Sequence, residues 1–148
     1  IHSGRMFASV GNVLWWSELF RFDLFDLARA LIQFHTNITM IKSVSGGLYI
    51  STEQNTYFLN GNNPIAFTSV KVADFPAIEW SESIEYIEGG DIGFNPGLCA
   101  LWVSPEGAIL GLPSGQVVNL TKEKIIYPED VSTGFSCLMG YNFIHGSF

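Results

Sequence analysis

Four glutamates at every third position, followed by Asp91, form the segment whose residue types could bind a metal ion or transfer protons. They are Glu79, Glu82, Glu85 and Glu88. On a helix this spacing would place them in one stripe, whereas on a strand they would alternate between faces. The intervening Ile84, Tyr86 and Ile87 favour a strand or an irregular edge, and no loop here has the ligand pattern of a calcium site. We therefore interpret the segment as solvated or edge-protecting, because charges on an edge strand discourage aggregation.

The other reactive side chains lack the spacing that catalysis or metal binding requires. The histidines do not pair with a cysteine or with one another at ligand spacing: His2, His35 and His145. Ser114, in "GLPSG", does not fit the nucleophile elbow of hydrolases. Cys99 and Cys137 have no CxxC spacing, and we interpret them as free buried thiols, with a disulfide left open. The sequence therefore predicts no catalytic residue, no metal site and no cofactor.

Exposed aromatic side chains are the remaining candidates for binding chemistry, because they could stack on sugar rings. The candidates for such an interaction or glycan surface are Trp15, Trp16, Trp80 and Tyr86. Trp15 and Trp16 are adjacent, so on a strand they point to opposite faces and one of them is expected at a surface. The alternative, which the general burial of aromatic residues favours, is that these side chains fill the core between sheets.

Composition predicts one globular domain with a weakly charged surface. The chain has 148 residues, of which 47% are hydrophobic and only 14% are charged, so part of its surface is expected to be covered by a partner. The net charge is −7, and the seven Lys and Arg residues are scattered. Nucleic acids and anionic membrane surfaces are therefore not expected as partners. No apolar run is long enough for a membrane-spanning helix.

Short apolar runs separated by Gly, Asn and Pro turns predict an all-β chain. Residues 6–10 and 13–17 flank Gly11-Asn12, a strong hairpin signal. The runs 38–44, 48–52, 56–59 and 67–72 have short connections and predict a four-stranded antiparallel meander. Further strands are expected at 83–89, 100–104, 108–111 and 116–120. We expect ten to twelve short strands in all.

The segment Leu19 to Phe34 is the one candidate for a helix. Leu24, Leu27 and Leu31 share a helical face, and Asp23 could cap a short helix. An extended connection whose apolar residues pack on a sheet is an equally good interpretation.

A short motif of aliphatic, aromatic, small or β-branched residue and serine occurs three times, as "MFAS", "LYIS" and "LWVS". Its serines are spaced by 42 and 53 residues, and units of this size are typical of propeller blades. The motif places an aromatic residue and a serine on one face of each inner strand: Phe7 and Ser9, Tyr49 and Ser51, Trp102 and Ser104. We expect the aromatic residues to lie between sheets. The predicted domain, 1–148, holds blade-like units at 4–35, 36–78 and 79–130, with 131–148 beginning a further unit.

The strings "GNVLWWSELFRFDLFD", "ITMIKSVSGGLYISTEQNTYFLNGNNP" and "ALWVSPEGAILGLPSGQVVNLT" resemble a poorly characterised family of structural proteins of tailed bacteriophages and prophages. The resemblance covers roughly residues 4 to 125. It implies a propeller-like β domain and assigns no functional residues. Leu19 departs from the family pattern, which tends to carry proline after Ser-Glu.

We therefore expect a non-catalytic assembly module, associated with a virion or its tail. Three partial units cannot close a propeller ring, and open sheets invite pairing, so self-association or association with the remaining blades of a longer protein is expected. Its location would be the virion, or the bacterial cytoplasm during assembly. The alternative function is a carbohydrate-binding β module that recognises a cell-surface glycan.

Overall fold

The computed structural model describes residues 1–88 and 97–122, which form three four-stranded antiparallel sheets. Sheet 1 contains β1 (Phe7–Val10), β2 (Val13–Glu18), β3 (Arg21–Phe25) and β4 (Leu31–Gln33). Sheet 2 contains β5 (Ile38–Val44), β6 (Gly47–Thr52), β7 (Thr56–Asn60) and β8 (Thr68–Ala73). Sheet 3 contains β9 (Ser83–Ile87), β10 (Gly97–Ser104), β11 (Gly107–Gly111) and β12 (Val117–Asn119).

The all-β prediction is confirmed, and sheet 2 is the four-stranded meander expected from the turn pattern. Within the described part of the chain the sheets do not close into a barrel, which is consistent with a partial propeller-like arrangement. The expected hairpin around Gly11-Asn12 is also present, with Val10 paired to Val13. Gly11 adopts a φ of 59°, a conformation that glycine enters without steric cost. Residues 123–148, including the expected further unit and Cys137, lie outside the described residues.

Of the two interpretations left open for residues 19–34, the extended one is found and the short helix is not, because this segment forms β3, a turn and β4. Phe20 reverses the chain after β2 with a φ of 55°. Asp26 then organises the turn: its carboxylate accepts from the backbone N–H of Ala28, and its carbonyl accepts from that of Ala30. Both strands pair with β2. Strand β3 pairs with the C-terminal end of β2, and β4 pairs with the N-terminal half of β2. No helix among the described residues is long and apolar enough to cross a membrane.

Sheets 1 and 2 each contain a twelve-residue hairpin with the same register. Strand register aligns Met6–Ser17 with Met40–Ser51, since Val10 pairs with Val13 as Val44 pairs with Gly47. Identical residues occupy five aligned positions: Met6 and Met40, Ser9 and Ser43, Val10 and Val44, Leu14 and Leu48, Ser17 and Ser51. The counterpart of "LYIS" in sheet 1 is therefore "LWWS", Leu14–Ser17, on the second strand. The motif "MFAS", which the sequence analysis treats as equivalent to "LYIS", lies instead on the first strand.

Each sheet thus has two distinct faces, defined by its second strand. We call the face with Leu14, Leu48 or Leu101 the leucine face, and the face with the next residue, Trp15, Tyr49 or Trp102, the aromatic face. Sheets 1 and 2 meet through their leucine faces, where Leu14 joins Leu48, Ile50 and Leu59 in one buried cluster. Sheets 2 and 3 meet through their aromatic faces, where the rings of Tyr49 and Trp102 are 5.3 Å apart. Like faces therefore meet at both interfaces.

Candidate functional site

The structure places the two adjacent tryptophans on opposite faces of β2, as alternation requires. Trp16 is 7% exposed and lies on the leucine face. Trp15 is partly exposed on the aromatic face, and its indole N–H donates to the carbonyl of Leu27 at 3.3 Å. Trp15 is therefore the tryptophan of this pair that a partner can reach.

Trp80 and Tyr86 belong to a different part of the molecule. Trp80 is 80% exposed in the connection between sheets 2 and 3 and has a φ of 65°, a strained value for a bulky residue. Tyr86 is 59% exposed on the edge strand β9, opposite the exposed Leu98 of β10. The four aromatic candidates are thus divided between sheet 1 and the region of sheet 3.

Tyr49 and Trp102 lie in the core between sheets, as expected. The Tyr49 hydroxyl is 2.8 Å from the carbonyl oxygen of Leu112 and 3.0 Å from that of Gln116, both in sheet 3's last turn. Burial, and secondarily the nearby Cys99, raises the pKa of Tyr49. Tyr49 therefore remains a neutral hydrogen-bond donor that joins the two sheets. Phe7 lies between sheets 1 and 2 and stacks on Phe67 at 6.0 Å.

The buried serines at the ends of the second strands have structural roles. The Ser51 hydroxyl accepts from the backbone N–H of Ala77 at 2.7 Å, and that of Ser17 accepts from the N–H of Met6 at 3.0 Å. Ser104 holds the β10–β11 turn by accepting from the N–H of Glu106. Ser9, by contrast, is half-buried on β1. The three buried hydroxyls satisfy backbone groups that would otherwise be unpaired.

The glutamates of the acidic segment differ in their exposure to solvent. Glu79 and Glu88 are exposed, Glu85 is partly buried, and β9 is the last strand of sheet 3 among the described residues, outside which Asp91 lies. Glu82 departs from the edge-protecting interpretation, because its side chain is only 15% exposed and lies 3.6 Å from the ammonium of Lys42 on sheet 2. Among residues 1–88 and 97–122, no three acidic, cysteine or histidine side chains are grouped as metal ligands would be.

The clefts beside the sheets in residues 1–88 and 97–122 include two shallow ones. One, of about 220 Å³, is lined by Trp16, Ile65 and the charged residues Arg5, Glu18, Asp26 and Arg29. The other, of about 430 Å³, lies between sheets 2 and 3 and is lined by Val72, Phe75, Glu106, Asn119 and Lys122, among others. The Asn119 side chain is used internally, since it donates to the carbonyl of Glu106 and accepts from the backbone N–H of Thr121.

The aromatic face of sheet 1 is much more exposed than the aligned face of sheet 2. Val10 is 74% exposed and Met6 is 37% exposed, whereas the aligned Val44 and Met40 of sheet 2 are 1% and 2% exposed. We call the group Met6, Ala8, Val10, Val13 and Trp15 the Trp15 surface. Leu27, at its border, is also exposed. Met6 and Val10 were not singled out from the sequence as binding residues. The signal that identifies them is the constant difference in residue number between the two aligned hairpins.

Comparisons with known proteins identify no family for this chain. A scan against protein-family models found no match, and a search of curated proteins found none either.

Proposed function

We propose that this chain is a non-catalytic assembly module of a bacteriophage or prophage, part of a virion or its tail, with the Trp15 surface as its contact site. The observation that carries the proposal is the exposure of Met6 and Val10 where the same residue types are buried in sheet 2. Apolar sheet faces of this kind mark interaction sites. The resemblance of the three quoted segments to phage structural proteins supports the origin.

The use of polar side chains supports an assembly role rather than a reaction. The serine hydroxyls bond to backbone groups, and Tyr49 bonds across two sheets. The ion pair of Lys42 and Glu82 also joins two sheets. These groups hold the fold together and are not free to act on a substrate.

Mass spectrometry of purified particles tests the proposal. Particles are induced from a host that carries the gene, and the chain is quantified relative to capsid and tail proteins. We expect it at a fixed stoichiometry in particles from the wild-type gene and at a lower level with Val10→Lys. Val70→Lys, an exposed valine on β8, is the matched control and is expected to incorporate normally. Absence of the chain from intact, infectious particles would contradict the proposal.

Recognition of a cell-surface glycan is the second candidate function, and the exposure of Trp80 favours it. An indole ring that is 80% exposed and held at a strained φ can stack on a sugar. A glycan array with the wild-type chain, Trp80→Ala and Tyr86→Ala tests this function. Binding that Trp80→Ala abolishes supports it, and no binding to any glycan rejects it.

A further inference from the structure

The two interfaces between the described sheets follow one rule: each joins two faces of the same kind. Leu14 of sheet 1 packs with Leu48 of sheet 2, its aligned residue. Tyr49 of sheet 2 packs on Trp102, its counterpart in sheet 3, and the pairs Tyr49–Phe58 and Trp102–Ile109 have equivalent registers. Sheet 2 is therefore covered on both faces, and the aromatic face of sheet 3 is covered by sheet 2.

In the described part of the chain, the aromatic face of sheet 1 is the one aromatic face without a sheet packed on it. We infer that this Trp15 surface binds the same surface of a second copy of the chain, about a two-fold axis. This rests on the proposed function and names the partner for its contact site. Like-with-like contact between identical surfaces is isologous, so it closes as a dimer and does not extend into a ring.

The charge pattern favours a second copy over a different sheet. Between sheets 2 and 3, Lys42 on the first strand of one sheet pairs with Glu82, which directly precedes the first strand of the other. These unlike charges suit two different sheets. Sheet 1 carries the neutral Ala8 at the position of Lys42, because Ala8 pairs with Trp15 as Lys42 pairs with Tyr49. A lysine there would add two like charges to the contact between identical surfaces, and alanine avoids that repulsion.

The whole Trp15 surface is uncharged, although the chain has a net charge of −7. Two copies can therefore approach through this surface without desolvating an ionised side chain. Met6, Val10 and the partly exposed Trp15 supply the apolar area, and tryptophan is enriched at the centres of interfaces.

Sedimentation velocity of the full chain, from about 1 to about 100 µM, tests the inference, because a dimer dissociates on dilution. We expect a concentration-dependent monomer–dimer equilibrium for the wild type. Val10→Lys is expected to raise the dissociation constant by about tenfold or more, since it places two ammonium groups in an apolar contact. Val70→Lys adds the same charge outside the surface and is expected to leave the constant unchanged. A wild type that is monomeric throughout, or equal effects of the two variants, overturns the inference.

Oxidation of methionine by dilute hydrogen peroxide locates the contact independently. Met6 is expected to oxidise several-fold more slowly at the high protein concentration than at the low one, while the buried Met40 stays slow at both. A dimer in which Met6 oxidises equally at both concentrations uses another surface and also overturns the inference. A monomer that is still incorporated into particles would retain the proposed function and remove only this partner.

Discussion

The rings of Tyr49 and Trp102 meet with their centroids 5.3 Å apart and their planes at 48°, each supplied by the second strand of its own sheet. The two residues are fully buried and occupy aligned positions in their sheets. Sheet 1 offers Trp15 at the same position but leaves it partly exposed. The position that is buried between sheets 2 and 3 is thus partly exposed in sheet 1, where the assembly contact is proposed.

Replacing the buried serines tests their assignment as backbone anchors. Ser51→Ala and Ser17→Ala should each lower the free energy of unfolding by about 1–3 kcal/mol, because a backbone N–H is left without its partner. Ser9→Ala, on the first strand, should change it by less than about 0.5 kcal/mol. Urea denaturation followed by fluorescence measures all three. An equal loss in Ser9→Ala would mean that "MFAS" shares the role of "LYIS".

Gly111 should not tolerate a side chain. A Cβ there would lie 2.7 Å from Cζ3 of Trp102 and 2.7 Å from Cε2 of Tyr49. Gly111→Ala should therefore destabilise the protein by about 1–3 kcal/mol through overpacking. Ser114→Ala, on the neighbouring exposed turn, is the control. If the contact is the cause, Trp102→Phe combined with Gly111→Ala should cost less than the sum of the single changes, and strict additivity would refute it.

Removing one partner of the Lys42–Glu82 ion pair should lower the free energy of unfolding more than removing both partners. Lys42→Met leaves a carboxylate that is 15% exposed without its cation and should cost about 1–3 kcal/mol, less than for a fully buried pair. Lys42→Met with Glu82→Gln should recover part of this loss in a double-mutant cycle. Lys71→Met removes the exposed partner of Asp74 and should leave stability nearly unchanged, because solvent screens this pair. No coupling between Lys42 and Glu82 would contradict the role given to this pair.

Stability should fall at alkaline pH. Burial raises the pKa of both Tyr49 and Cys99, so the folded chain holds protons that the unfolded chain loses first. The stability that these two protonated side chains contribute is present in full below the pKa values they have in the unfolded chain. It is lost as the pH rises above about 9. Urea midpoints at increasing pH should therefore decline, and the decline should be smaller in Tyr49→Phe. A Tyr49→Phe variant with the wild-type pH profile would show that other groups govern the loss.

The regular strands were predictable because the turn residues carry local conformational information. Gly11-Asn12, Ser45-Gly46 and the break at residues 60–64 delimit strands that the structure confirms. The segment 19–34 was ambiguous because its leucines fit a helical face, and only the reversal at Phe20 and pairing with β2 decide for strands. Leu27, which a helix would bury, is exposed instead.

The sequence by itself determined the all-β class, the meander and the burial of Tyr49 and Trp102, since alternation and turn chemistry act between neighbouring residues. Only the tertiary structure decided which faces meet, because face-to-face packing joins residues far apart in the chain. It aligned Ser17 rather than Ser9 with Ser51, brought Glu82 to Lys42, and left Met6 and Val10 exposed where Met40 and Val44 are covered. Exposure of an apolar residue depends on whether another sheet lies over it, and that is a property of the assembled sheets.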